Sequence, residues 1–257
     1  MSNEHAPDFA LSGKVTLVTG ASRGIGRACA LACAAAGSDI VLGVRSPGKV
    51  GDLVAEIEAM GRRVLAVELD VPNRDHIAAT VEASVKTFGR IDVLVNNVGV
   101  APGDLAERVE ESAVDEILNV NIKGTFLMTQ AVARHMITRK QGSIVSISSQ
   151  AGTNALRGEA IYCMSKAAIN HLTRCLAAEW ARYNITVNTV SPTFIHTDGT
   201  RPYLSEPENY EETLNHIPLG RIGETRDVTG AVVFLASPAA SLITGVNLLV
   251  DGGWSVA

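Results

Sequence analysis

The sequence predicts an α/β fold: a doubly wound parallel sheet of seven strands in a single domain spanning residues 1–257. Two observations carry this prediction. Short runs rich in β-branched residues alternate with longer helical stretches, which is the pattern of βαβ units. A glycine-rich turn also follows the first run directly and opens the first helix. Right-handed crossovers then place helices on both faces of the sheet, and ligands bind beyond the carboxyl ends of the strands.

The elements follow in order. Val15–Val18 forms a first strand, and the alanine-rich stretch Gly24–Ala36 a helix that Gly37 stops. Ile40–Val44 is the second strand, followed by the amphipathic stretch Val50–Met60, which Gly61 caps. Val64–Val71 is the third strand and Arg74–Phe88 the next helix. Val93–Asn97 is the fourth strand, before one long helical region over Ser112–Arg139. Ser143–Ser148 is the fifth, and the helix after it carries Tyr162 and runs to Arg182. Ile185–Val190 is the sixth strand. A polar loop over residues 193–217, a helix over Arg226–Ala236 and a seventh strand at Val246–Val250 complete the pattern. Residues 1–10 are expected to be a flexible tail, and 193–217 a substrate-binding loop that can act as a lid.

Composition excludes several function classes. With 46% hydrophobic and 19% charged residues the chain is an ordinary globular protein. Its net charge of −5 and lack of a basic block point away from nucleic acid, and no apolar run is long enough for a bilayer. The first residues have neither the basic start nor the apolar centre of a secretory signal. Cys29, Cys33, Cys163 and Cys175 have neither metal-ligand nor redox-motif spacing, so the expectation is buried thiols in a reducing cytoplasm and no metal. His76, His135 and His171 fall on predicted helices as structural or exposed residues.

The turn after the first strand reads TGASRGIG, with Gly20, Gly24 and Gly26 spaced G-x-x-x-G-x-G. Alone it could be a structural turn. At the start of the first helix it suits a pyrophosphate, which needs close backbone approach and amide donors. The second strand ends in Val44 and Arg45, with no acid to bind both ribose hydroxyls; Asp39 lies at its other end. Arg45, with Arg23 in the glycine turn, favours NADP(H) over NAD(H).

Tyr162 and Lys166 are four residues apart, one helical turn, and so share a helix face. Ser149 lies thirteen residues before Tyr162, at the end of the fifth strand. A cation beside a phenol lowers its pKa, and a tyrosine that exchanges its proton near neutrality is a general acid/base. Such a spacing alone is ordinary helix surface; its company gives it meaning.

TGASRGIG, NNVG at Asn96–Gly99, NVNIKG around Asn121, SISS ending at Ser149 and YCMSK occur in an order and spacing that resembles the short-chain dehydrogenase/reductase family, from Leu11 to Trp254. The resemblance implies a Rossmann fold and nicotinamide-dependent interconversion of alcohol and carbonyl. It implies Tyr162 as acid/base, Lys166 as the cation that lowers its pKa and binds the nicotinamide ribose, and Ser149 as the group that orients the substrate oxygen. Asn121 would hold a water in a proton relay. Cofactor contacts would come from Gly20, Ser22, Arg23, Gly24, Ile25, Gly26 and Arg45, from Asp70 and Val71 at the adenine, and from Asn96, Asn97 and Gly99 along the cleft. Pro192, Ile195 and Thr197 would grip the carboxamide. A homotetramer is also implied. Two positions depart from the family pattern: Val98 replaces an alanine, and Thr193 replaces a glycine after Pro192.

Substrate choice is expected to come from loops around the site. The segments after the fifth and sixth strands are polar, offering Gln150, Thr153, Asn154, Arg157 and Glu159, then His196, Asp198, Arg201 and Tyr203. Gln150, Asn154 and His196 are the candidates for substrate contact. Such loops suit a small hydroxylated molecule: a sugar, polyol or sugar acid. A 3-oxoacyl-acyl-carrier-protein reductase is the alternative enzyme, against which the net charge of −5 weighs, although local patches count for more than totals. A catalytically idle dinucleotide-binding regulator is the non-enzyme alternative; the intact Ser149, Tyr162 and Lys166 speak against it.

Overall fold

The computed structural model describes residues 6–256. Seven strands form one all-parallel sheet: β1 (Val15–Thr19), β2 (Asp39–Val44), β3 (Val64–Glu68), β4 (Val93–Asn96), β5 (Gly142–Ile147), β6 (Ile185–Pro192) and β7 (Asn247–Val250). Their spatial order is β3-β2-β1-β4-β5-β6-β7. The chain therefore reverses its direction of travel across the sheet between β1 and β4, and a crevice opens at that switch. This is the doubly wound sheet that the sequence predicts.

Local signals set the helices. α1 (Gly24–Ala35) opens from the glycine turn, and α2 (Gly51–Ala59) follows a 3-10 turn at Pro47–Lys49. α3 (Arg74–Phe88) begins where the Asn73 side chain accepts the amide hydrogens of Asp75 and His76, and it ends at Gly89 in the left-handed region. α6 (Ala160–Trp180) and α9 (Thr225–Ala236) match the predicted helices closely; α9 starts with a capping box between Glu224 and Asp227. Helices on each face complete two apolar cores. One packs α1 and α9 residues such as Cys33 and Val232 on Ile40 and Val145, and the other packs α5 (Thr125–Arg139) and α6 residues such as Met128 and Leu176 on Leu17 and Ile144.

Three expectations are corrected. The single helix over Ser112–Arg139 is α4 (Glu111–Ile117), a π-helical stretch (Leu118–Gly124) and α5 (Thr125–Arg139). The polar loop contains two short helices, α7 (Arg201–Leu204) and α8 (Pro207–Asn215), each with a proline in its first turn, where the missing N–H costs nothing. Phe194 stacks on Tyr203 and Trp254 at centroid separations of 5.4 and 5.9 Å, and His216 on Trp254 at 4.9 Å. β3 ends at Glu68, short of the predicted Val71, because Leu69 leaves the ladder after bonding the Val44 carbonyl. Of the expected tail, residues 1–5 lie outside the described residues; the Asp8 carbonyl accepts the Ala239 amide at 2.9 Å and Phe9 packs near Phe234. Of the four thiols expected to be buried, Cys29 and Cys33 are, Cys163 is half-buried and Cys175, on the outer face of α6, is exposed.

One buried carboxylate holds the amino-terminal edge of the sheet. Asp92, 3% exposed, accepts the Val15 amide at 2.9 Å, two bonds from Arg90 at 2.6 Å each and one from Arg139 at 3.1 Å. It ties β1, β4 and α5 together far from the crevice. Removing it strands two arginines and an amide, so Asp92→Ala should cost about 3 kcal/mol, read as a lower urea midpoint at unchanged slope.

Candidate active site

The crevice floor is set by how closely β1 and β4 approach at their carboxyl ends. The Asn97 amide hydrogen goes to Thr19 Oγ1 at 2.9 Å, and its side-chain Nδ2 donates to the carbonyls of Thr19 and Gly20 at 3.1 and 3.2 Å. A Cβ on Gly20 would lie 3.0 Å from Asn97 Nδ2 and from Val98 Cγ2, and one on Gly26 would run into the Gly20 carbonyl. Gly20 and Gly24 also have φ of +67° and +55°. The turn is thus a bare backbone cradle at a helix N-terminus, which fits a pyrophosphate.

A groove of ≈ 670 Å³ runs over this cradle. It is lined by Gly20, Ser22, Arg23, Gly24 and Ile25, by Val44, Arg45, Ser46 and Lys49, and by Asp70, Val71, Asn97 and Gly99. Three cations, Arg23, Arg45 and Lys49, stand at its β2 end, and among the described residues none forms an ion pair. Lys49 was not anticipated; it lies one 3-10 turn beyond Arg45, and the signal for it was its place just after the strand end. Gly26 sits beneath the groove as packing. Asn96 is not in the groove. It is 4% exposed, and its Nδ2 bonds Thr129 Oγ1 and Ser146 Oγ inside the core, because consecutive strand residues face opposite sides.

The groove opens into a cavity of ≈ 220 Å³, lined by Ser149, Tyr162 and Lys166 together with Pro192, Thr193, Ile195 and Thr197. Ile25, Asn97, Gly99, Val100 and Thr197 line both spaces. Nicotinamide dinucleotide is therefore a group the site fits, with the cradle for its pyrophosphate and the cavity for its reacting end. Thr193, at the departure from the family pattern, donates its amide hydrogen to Val250 O at 3.2 Å, while its buried Oγ1 has no hydrogen-bond partner.

Burial governs the charges in the cavity. Burial pushes the Tyr162 phenol up to about 12; hydrogen bonding by Ser149 opposes the rise, while Glu159 and Cys163 add to it. This corrects the expectation of a lowered tyrosine pKa. Lys166 Nζ lies 5.5 Å from the Tyr162 ring centroid and donates to Ile147 O at 2.9 Å. Burial also lowers its own pKa to about 8, so the cation expected to tune the phenol is itself destabilised.

Asn121 lies on the π-helical stretch, 2% exposed. Its Oδ1 accepts the Val100 amide and its Nδ2 donates to the Val100 carbonyl, both at 2.9 Å, and to Ser165 Oγ at 3.1 Å. The side chain is a clasp between the loop after β4 and α6, with both amide hydrogens used. The three substrate candidates do not line the cavity. Gln150 is 1% exposed in a 3-10 turn, Asn154 bonds back to the Gln150 carbonyl, and exposed His196 faces a neighbouring recess with Arg27 and Arg201. Among the described residues no cluster of three metal-ligating side chains occurs.

Fold and crevice together define a nicotinamide-dependent oxidoreductase acting on CH–OH groups. The family described as enoyl-(acyl carrier protein) reductase matches residues 20–255. A 3-oxoacyl-[acyl-carrier-protein] reductase of Thermotoga maritima is 42% identical, covering 95% of this chain and 98% of its own. An NAD-dependent glycerol dehydrogenase of Listeria innocua is 41% identical, over 97% and 96%. The crystal structure of a gluconate 5-dehydrogenase from Burkholderia cenocepacia in complex with NADP and tartrate superposes with a TM-score of 0.94 at 33% identity, covering 98% of both chains. The chain belongs to the short-chain dehydrogenase/reductase family.

The buried lysine has a thermodynamic signature. Its pKa is lower folded (about 8) than unfolded (10.5), so the native state binds fewer protons between those values and stability rises with pH there. Below pH 8 the full cost of the buried cation is present. Lys166→Met should therefore stabilise the cofactor-free protein by about 2 kcal/mol at pH 7. That gain should shrink as pH rises toward 10, as measured by urea titration across the range.

Proposed function

We propose that this enzyme interconverts a secondary alcohol and a ketone on a small hydroxylated substrate, a sugar, polyol or sugar acid, using NADP(H) in preference to NAD(H). The observation that carries the reading is the continuity of two spaces: a groove with three unpaired cations at its ribose end, and a small cavity walled by Ser149, Tyr162 and Lys166. Bound nicotinamide supplies or accepts the hydride. Gly20, Ser22, Gly24 and Ile25 hold its phosphates, Asp70 and Val71 flank the adenine, and Arg23, Arg45 and Lys49 take the 2′-phosphate. Pro192, Ile195 and Thr197 face the carboxamide.

In this reading Ser149 and Tyr162 hold the substrate oxygen with two hydrogen bonds, where negative charge grows during reduction. A phenol pushed up by burial is a poor base but keeps its proton until a developing alkoxide takes it. Lys166 and the main chain at Asn121 pass that proton to solvent; the Asn121 side chain keeps Val100 in place.

The Thermotoga relative supports a second reading, 3-oxoacyl-acyl-carrier-protein reduction. A homotetramer in the cytoplasm is part of the proposal: Leu118, Phe126 and Met164 are exposed on neighbouring helical segments, and Cys29 and Cys33 are buried free thiols. No described helix is long and apolar enough to cross a membrane. We assign residues 193–217 to substrate enclosure.

Two measurements test this. Tyr162→Phe should lose about 10³-fold in kcat while NADPH affinity, followed by fluorescence, stays within twofold; normal turnover would remove the proton-transfer role. Arg45→Ser should lower kcat/KM for NADPH by about tenfold, the worth of one charge-assisted phosphate contact, and leave NADH unchanged. A wild-type preference for NADH would overturn the cofactor assignment, and reduction of an acetoacetyl thioester with no turnover of polyols, sugars or sugar acids would favour the second reading.

A further inference from the structure

Resting on the reading of a small hydroxylated substrate, one wall of the reaction cavity sets how large that substrate can be. We propose that Thr193 is a specificity-determining partition: its side chain closes the cavity off from an adjoining apolar recess, and so holds the enzyme to compact substrates and denies it ketones that carry an alkyl chain.

The recess measures ≈ 580 Å³ and has Ile217, Pro218, Leu219, Leu249 and Val250 in its lining. Its charged residues are committed to partners: Arg221 donates to both oxygens of Asp227, at 2.6 and 2.9 Å, and Asp251 accepts from Gly253 and Ser255. Hydrocarbon therefore gains more there than a hydroxyl does. Two residues, Thr193 and Ile195, line both this recess and the cavity of Ser149, Tyr162 and Lys166. They are the wall between the two spaces.

The two halves of the wall differ. Ile195 is 2% exposed and fixed by its pairing with Gly223. The flanking residues bond Gly223 as well: Phe194 accepts its amide at 3.0 Å, and His196 donates to its carbonyl at 2.8 Å. A Cβ on Gly223 would run into Ile195 Cδ1. Thr193 is half-buried, with its backbone held by the bond to Val250 O. Its Oγ1 is buried and unpartnered, so the residue shows carbon and main chain to the two spaces, and the hydroxyl gains nothing where it lies. What Thr193 contributes is volume, at a position where the family pattern has glycine.

The test is NADPH-dependent reduction of diacetyl and acetylcaproyl, α-diketones that share the reacting group and differ by a pentyl chain in place of a methyl. The wild type should favour diacetyl in kcat/KM. Thr193→Gly should shift the ratio toward acetylcaproyl by at least about tenfold, the worth of two buried methylenes, and mainly through KM. Thr193→Ala, which keeps the backbone stiffer, should shift it in the same direction, and thermal melts verify that both variants fold. Thr193→Val keeps the shape without the hydroxyl; it should retain the wild-type ratio and melt no lower than the wild type. Adding Leu219→Trp, which fills the recess, to Thr193→Gly should abolish the gain. Equal use of both diketones by the wild type, no gain for acetylcaproyl in either smaller variant, or a gain that survives Leu219→Trp would overturn the partition. A Thr193→Val ratio that follows glycine would assign the selection to the hydroxyl and overturn it too. None of these outcomes touches the reading of a hydroxylated substrate, which falls separately if no sugar, polyol or sugar acid is turned over while an acetoacetyl thioester is reduced.

Discussion

The close approach of two strand ends is the constraint on which the rest depends. β1 and β4 are neighbours in the sheet but seventy-odd residues apart in the chain, and Asn97 spans the switch between them by three hydrogen bonds to Thr19 and Gly20. No side chain fits at Gly20 or Gly26 without displacing this contact. The same feature that shortens the gap leaves backbone amides bare at the start of α1. The nucleotide cradle is therefore a consequence of sheet topology combined with two absent side chains.

Electrostatics in the cavity follow from desolvation more than from pairing. Tyr162 and Lys166 are both displaced toward their neutral forms, and the ammonium has a backbone acceptor rather than the phenol as its hydrogen-bond partner. A site of this kind holds its proton tightly until charge develops on a ligand. Arg23, Arg45 and Lys49 represent the opposite case: exposed cations at the groove's far end, kept apart from any carboxylate. A cavity with buried titratable groups and a groove with exposed cations thus share lining residues and run into one another.

The architecture was legible because its signals are local. β-branched runs, the helix stops at Gly37 and Gly61 and the turn at Gly20–Gly26 each act within a few residues. The grouping of Ser149, Tyr162 and Lys166 around one cavity was legible for a similar reason, since Tyr162 and Lys166 share a helix and Ser149 follows the strand before it. What escaped was whatever depended on the direction of a side chain in three dimensions. Asn96 and Asn97 are adjacent in sequence, yet one enters the core and the other the crevice. Gln150, Asn154 and His196 looked suitable by polarity, but a tight 3-10 turn buries the first and strand pairing at Gly223 turns the last outward. Lys49 has no motif of its own; it matters through its place beside Arg45 at the edge of the groove. Lowering of the tyrosine pKa was inferred from spacing, which reports that two groups are near but says nothing of how much water they have lost.

The wide helical turn at Leu118–Gly124 has a consequence for how such chains tolerate length changes. A π turn holds about one residue more than an α turn, which offsets the faces on either side by about 100°. That surplus residue works like a vernier between two fixed scales: α4 is set by its own packing, α5 by Met128, Val132 and Met136 in the core, and the phase difference falls on Asn121. A chain shortened by one residue here would regain an ideal helix and keep its outline. It would also rotate the Asn121 amide out of reach of Val100, so an improvement in regularity would release a loop that lines the cleft.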